Sequence, residues 1–344
     1  MATEDDDYDA WISAVSDQDN THEMFVRFNR IFLVCMYSVT CIFGVSGNSL
    51  VLIILIFYEK VKVLSDIFLV SLAVADLCFL CTLPFWAYSA ADEWIFYTLP
   101  CKVIRGLYTV NLYGSMLTLT CITIDRYFAI VQATKAHVNQ PKRRVWGTAV
   151  CVSVWVLSLA FAMPQFIFST EVQYDKKICY AKYPSKHAHM FTEITQMVLG
   201  FFCPIVVMII FYSIIVKTLF KAKGFHKHKS LQIIFAIVVT FIFTQTPYNL
   251  LKIIRAMDKY VLLDNTFDYG LVITEAIAYL HSCLNPVLYF FIGVKFRKNL
   301  AKILKKFGCV KHQQAIKQWQ TTEEDGSKTG TDTHNVEETS IYPL

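Results

Sequence analysis

Charge is scarce in this chain. Only 17% of its 344 residues are Asp, Glu, Lys or Arg, and 55% are hydrophobic, whereas a soluble domain carries roughly a quarter charged residues. That balance excludes an ordinary water-soluble domain and points to a bilayer as solvent. Basic residues are missing from the first twenty positions, which hold Glu4, Asp5, Asp6, Asp7, Asp9, Asp17 and Asp19. A signal peptide would begin with a basic segment and an apolar run, so the first hydrophobic span is expected to act as its own insertion signal. Asn-x-Ser/Thr occurs nowhere, so N-glycosylation is not expected. The eleven Cys are too few and too scattered for a disulfide scaffold or a zinc motif. No internal repeat of the kind that builds inverted-repeat transporters is found. His187, His189, His226 and His228 fall in loops and read as basic filler rather than metal ligands, which leaves hydrolase and metal-site readings without residues. No enzyme, no organic cofactor and no nucleic-acid partner is expected.

What is present is a series of apolar spans at about 31–58, 64–90, 102–132, 145–168, 190–217, 230–257 and 267–292. Each supplies the ~20 residues that cross a hydrocarbon core. Unpaired backbone is prohibitive in lipid, and these lengths exceed barrel strands, so the spans are helices. Pro84, Pro164, Pro204, Pro247 and Pro286 lie inside five of them, tolerable where neighbouring helices re-satisfy the freed carbonyls. The fold class expected is all-α, a bundle of seven transmembrane helices over residues 31–292. Loop charge orients it. Seventeen of the 32 basic residues lie between spans one and two and three and four, from the last residue of span five to span six, or just after span seven. The other side carries the acidic tail, residues 1–30, with Asp92 and Glu93. The N-terminus is therefore expected outside and the C-terminus inside.

After span seven, Phe296, Leu300, Ile303, Leu304 and Phe307 recur at i, i+4, i+7, i+8 and i+11 with Lys and Arg between them. Residues 294–308 thus predict a basic amphipathic helix on an anionic membrane leaflet. Cys309 follows as a candidate for palmitoylation, with a plain free thiol as the alternative. Residues 309–344 read as a disordered cytoplasmic tail. Its Thr321, Thr322, Ser327, Thr339 and Ser340 are candidates for phosphorylation.

Ionisable groups inside membrane spans are costly, so each raises a functional question. Asp76 lies in the middle of span two, Glu275 and His281 in span seven, and Asp125-Arg126 at the inner end of span three. Singly, each has a bland reading: a hydrogen-bonded core carboxylate for Asp76, an interfacial ion pair for Asp125-Arg126. Together with Gly47-Asn48, Tyr127, Trp155, Pro204, Tyr212, Pro247 and Asn285-Pro286-Val287-Leu288-Tyr289 they form an ordered set. This set resembles the rhodopsin-like G-protein-coupled receptors across essentially the whole chain. The resemblance implies a sodium ion held by Asp76, Ser115 and Asn285. It implies a resting pair Asp125–Arg126 that opens on activation, when Arg126 meets Tyr212, Tyr289 and a G protein. It implies an outward swing of span six about Pro247, and a disulfide between Cys101 and Cys179, consistent with an oxidising exterior.

The outer half is similar to the chemokine receptors, through Tyr37, Thr82-Leu83-Pro84-Phe85-Trp86, Trp94, Tyr108, Glu275 and Asp125-Arg126-Tyr127-Phe128-Ala129-Ile130-Val131. The implied ligand is a basic chemokine protein, attracted by Asp5, Asp6, Asp7 and Asp9 around Tyr8. Tyr8 is a candidate for sulfation, and a merely solubilising tail is the alternative. Tyr37, Trp86, Tyr108 and Glu275 would receive the flexible N-terminus of that ligand. Two features depart from the family. Residues 1–34 and 258–270 contain no Cys, so a second outer disulfide cannot form, and Gln245 stands where the family carries Trp before Pro247. These departures, with Ala133-Thr134-Lys135-Ala136, Lys295-Phe296-Arg297-Lys298-Asn299 and His334-Asn335-Val336-Glu337, resemble the CXC branch. That resemblance implies a membrane-anchored CXC chemokine, an inhibitory G protein, receptor kinases and arrestin as partners, and leukocyte migration or adhesion. The alternatives are a chemokine scavenger that does not signal, left open by Gln245, and a membrane transporter.

Overall fold

The computed structural model describes residues 4–61, 64–132, 140–174, 176–221, 229–257, 265–292 and 294–306, and the side chains of 23–61, 64–132, 145–174, 176–221, 235–255, 266–288, 290 and 296–305. Helix α1 runs over Glu4–Ile53, then α2 over Leu64–Leu80, α3 over Leu83–Ala91, α4 over Thr98–Val131 and α5 over Gln140–Phe168. A two-stranded antiparallel hairpin follows, β1 (Ser169–Gln173) and β2 (Lys177–Ala181), pairing Ser169 with Ala181 and Gln173 with Lys177. Helices α6 (Lys186–Met197), α7 (Cys203–Lys221), α8 (Lys229–Met257) and α9 (Asn265–Ile292) complete the first compact unit. Helix α10 (Val294–Lys306) belongs to a second unit.

Among the described residues, seven helical segments are long and apolar enough to cross a membrane: Glu23–Tyr58, Leu64–Ala91, Thr98–Val131, Val145–Phe168, Lys186–Lys221, Phe235–Arg255 and Thr266–Leu288. They match the seven expected spans to within a few residues, except at the start. The first helix begins at Glu4 rather than near 31, because neither Gly nor Pro occurs before Gly44 to stop it.

The prolines act where they fall. Span two breaks at Cys81-Thr82 and restarts as α3 with Pro84 in its first turn, where a missing N–H costs nothing. Thr82 holds the break together: its N–H and Oγ1 both donate to Phe79 O, at 2.8 and 2.6 Å. Span five joins α6 to α7 through a π turn at Val198–Phe202, which ends two residues before Pro204. Pro164, Pro247 and Pro286 sit in continuous helix.

Lipid tails are as apolar as core side chains, so the bundle is held by close packing and by hydrogen bonds between spans. Gly47 provides the first. A Cβ there would stand 2.7 Å from Pro286 Cβ, so only glycine allows spans one and seven to approach this closely. Asn48 provides the second, donating from Nδ2 to Gly44 O at 2.9 Å and across to Ser282 O at 2.8 Å. Trp155 Nε1 donates to Ser71 Oγ at 2.9 Å and ties span four to span two.

Candidate functional site

At one end of the bundle the Cys101–Cys179 disulfide, Cα–Cα 5.6 Å, fastens β2 to the start of span three. Trp94 is fully buried beside it, in a cluster with Cys101, Ile104 and Cys179. Its backbone N–H donates to Lys177 O at 2.8 Å and its Nε1 to Tyr97 O at 2.9 Å. The hairpin is thus held from two sides, and it covers a cavity of about 330 Å³ inside the bundle.

Tyr37, Trp86, Tyr108 and Glu275 all line this cavity, so the structure brings together the four bundle residues named for ligand contact. Tyr279 and Tyr248 join them. Tyr279 OH donates to Glu275 Oε1 at 2.8 Å and Tyr248 OH donates to the same oxygen at 3.4 Å. The ring of Tyr37 stacks on Tyr279 with centroids 5.8 Å apart, and that of Tyr108 packs on it tilted, at 5.2 Å. Glu275 therefore sits in an aromatic nest, and no cation among the described residues pairs with it. The cavity also exposes Arg105, Glu193, Gln165 and Lys252, which sequence reasoning missed. Lys252 Nζ and Glu193 Oε2 pair at 2.7 Å between spans six and five. Arg105 Nε donates to Gln165 Oε1 at 3.2 Å, and Gln165 Nε2 donates to Tyr183 OH at 2.9 Å. Burial and the Glu193 charge raise the Tyr183 hydroxyl above the usual phenol range, which keeps it neutral and hydrogen-bonding.

Halfway along the bundle, Asp76 is fully buried. Asn111 Nδ2 donates to its Oδ1 at 3.0 Å and Asn285 Nδ2 to its Oδ2 at 2.8 Å. Ser115 Oγ lies 3.4 Å from Asn111 Nδ2, and His281 Nε2 lies 4.0 Å from Asp76 Oδ1. Asp76, Ser115 and Asn285 are thus brought together, with Asn111 between the first two. Above this cluster Gln245 is buried against span seven. Its Nε2 donates to Ala278 O at 2.9 Å and stands 3.1 Å from His281 Nδ1. Asn249 Nδ2 donates in turn to Gln245 O at 2.8 Å, across the turn that holds Pro247. Position 245 is therefore occupied by a hydrogen-bonded link between spans six and seven.

At the far end Arg126 Nη2 lies 3.6 Å from Asp125 Oδ2. The Tyr127 ring packs on Phe211 with centroids 5.0 Å apart, and Tyr212 on Phe235 at 5.4 Å. Arg126 Nε and the Tyr212 hydroxyl are buried without a hydrogen-bond partner among the described residues. Two groups with unused hydrogen-bonding capacity at one end of the bundle can reward a rearrangement that supplies partners. Pro286 lies in helix beside Gly47, while the side chain of Tyr289 is outside the described residues. So are the side chains of Tyr8, Asp5, Asp6, Asp7 and Asp9, and all of Cys309, Thr321, Thr322, Ser327, Thr339 and Ser340. Cys78 and Cys81 have a Cys-x-x-Cys spacing in span two, yet no cluster of three His, Cys, Asp or Glu able to hold a metal occurs among the described residues.

Residues 47–289 match the family model of the seven-transmembrane receptors of the rhodopsin family. The chain is 39% identical over 300 residues to the C-C chemokine receptor type 9 of Homo sapiens, covering 84% of this chain and 81% of that one. It is 38% identical over 298 residues to the C-C chemokine receptor type 6 of the same species, covering 83% and 80%. To the human C-C chemokine receptor type 7 it is 36% identical over 302 residues, covering 85% and 80%.

Proposed function

Since the chain belongs to the rhodopsin family of seven-transmembrane receptors and, within it, to the chemokine receptors, we propose that its cavity receives the amino-terminal segment of a chemokine and that span six relays the event to an inhibitory G protein. The family consists of signalling receptors rather than enzymes. One observation carries the reading: Glu275 faces the cavity with tyrosine hydroxyls as its partners and no cation beside it. A carboxylate so placed favours an incoming ammonium, the charge every unblocked peptide amino terminus brings. The acidic N-terminal segment suits a basic protein arriving from the same side. The loop charges favour that side as the outer one, and a basic protein ligand arriving from outside makes the plasma membrane the proposed site of action.

For the ligand we propose the membrane-anchored CXC chemokine sixteen. The support is the missing second pair of outer Cys, Gln245 before Pro247, and the short motifs shared with the CXC chemokine receptor type six. The names of the C-C relatives favour a second reading, a C-C chemokine. In this reading the bond from Gln245 to Ala278 O belongs to the resting state. A ligand on Glu275 draws on span seven from above, the Gln245 link parts, and span six swings about Pro247 to open Arg126 to the G protein. A sodium ion would fit the resting state. The buried Asp76 carboxylate, with Ser115 and Asn285, would offer hard oxygen donors, and the side chains that hydrogen-bond Asp76 are neutral. It would supply a positive charge there. Receptor kinases and arrestin are the expected readers of the Ser and Thr after 309, and anionic lipid is the expected partner of 294–308.

The test is a panel of purified CXC and C-C chemokines on transfected cells, with G-protein activation and ligand uptake read side by side. A G-protein response to CXC chemokine sixteen is expected. A response to a C-C chemokine alone replaces the ligand. Uptake without any response makes the protein a scavenger.

A further inference from the structure

The cavity holds four charged side chains, and only two of them are matched to each other. Lys252 and Glu193 pair at 2.7 Å. Glu275 is met by the hydroxyls of Tyr279 and Tyr248. Arg105 is the fourth. Its Nε donates to Gln165 Oε1, and Gln165 is itself held, by its bond to Tyr183 OH and by Ser169 Oγ, 3.4 Å from Oε1. One edge of the guanidinium is thereby fixed to span four. No acid among the described residues lies within ion-pairing distance of Arg105, and its two terminal nitrogens have no hydrogen-bond partner there. A guanidinium has five donors in a planar fork that matches a carboxylate in bidentate fashion. Four of them remain unused on a side chain that lines a cavity.

Unmatched positive and negative charges thus stand on different spans. Arg105 is on span three, less than one turn from Tyr108. Tyr108 packs on Tyr279 with centroids 5.2 Å apart, and Tyr279 holds Glu275 on span seven. We propose that Arg105 is a second, anion-recognising subsite of this cavity, which selects entering peptide segments that carry a carboxylate close behind their amino terminus. The inference rests on the reading of the cavity as a peptide-terminus site and adds a requirement to it. Lys252 is the weaker candidate for the same role, since a ligand carboxylate would have to displace Glu193 from it. A segment with a basic side chain at that position meets Arg105 with like charge and is rejected, so the subsite discriminates in both directions.

The experiment uses the full-length receptor in nanodiscs and tetrapeptide amides built on alanine. One Glu is moved through positions two to four, with matching Gln and Lys peptides and N-acetylated controls, and dissociation constants are read by titration. At one position the Glu peptide should bind on the order of tenfold more tightly than its Gln counterpart, the worth of a charge-assisted hydrogen bond, and the Lys peptide should bind more weakly than both. The Glu preference should vanish in Arg105→Gln, persist in part in Arg105→Lys, and survive in Lys252→Gln. Equal binding of Glu and Gln peptides at every position of the wild type overturns the proposal, and needs no variant to fold. So does a preference that Arg105→Gln leaves intact or that Lys252→Gln abolishes. Should free and acetylated peptides bind alike, or none bind at millimolar concentration, the Glu275 reading fails with it. Dependence on the free amine without any Glu preference defeats the subsite alone.

Discussion

Gln245 is the residue on which the account of activation turns. Its amide makes two contacts with span seven, to Ala278 O and His281 Nδ1. A hydrogen bond between membrane helices contributes roughly 0.6–1.7 kcal/mol. If the link holds the resting state, Gln245→Leu removes it at similar volume, and ligand-free G-protein activation should rise about three- to twentyfold. Basal activity unchanged in that variant, at equal surface expression, would take the link out of the mechanism. The same scale shows what single residues disclose in a sequence. Asp76, Glu275 and Asp125-Arg126 were legible because a charge in an apolar run has no cheap explanation. Arg105, Glu193 and Lys252 obey the same rule and went unread, because they lie near span ends where water excuses a charge. Only the fold shows that the hairpin closes over them and turns span ends into cavity wall.

Elements were legible in proportion to their hydropathy. Seven apolar runs announce themselves, and the structure places the spans within a few residues of them. The hairpin Ser169–Ala181 left no mark in the sequence, because its residues of mixed polarity carry no period-two signal; the disulfide and Trp94 hold the strand pair in place. Cys179→Ala should therefore release it. Disulfide removal typically costs about 2–4 kcal/mol, so the purified protein should melt several degrees lower and chemokine binding should fall. An unchanged melting temperature would mean the strand pair stands by itself. Span packing offers a second case. Gly47→Val would drive spans one and seven apart at Pro286, an overpacking cost of about 1–3 kcal/mol. A lower melting temperature is expected, and a variant as stable as the wild type would show that the contact yields. The Pro84 break was half legible: a proline inside span two stood in the sequence, while the Thr82 bonds that shape the break appear only in the fold.

For the whole molecule, the claim is that a cavity at the disulfide end and the Asp125-Arg126 pair at the other end are two faces of one equilibrium. A bundle tied at mid-depth by Asn48, Asp76 and Gln245 can transmit a shift of span seven to span six, since both ends bias one two-state element. The direct measurement is nucleotide exchange on a purified inhibitory G protein, with wild-type receptor, Glu275→Gln and Arg126→Ala in nanodiscs, each titrated with CXC chemokine sixteen and with the C-C chemokine most active in the cell panel. The wild type should accelerate exchange with at least one of them. Glu275→Gln should require at least about tenfold more chemokine, the loss of a buried charge partner. Arg126→Ala should bind that chemokine with wild-type affinity and leave exchange at its basal rate. Full potency in Glu275→Gln, or normal exchange in Arg126→Ala, would contradict the account.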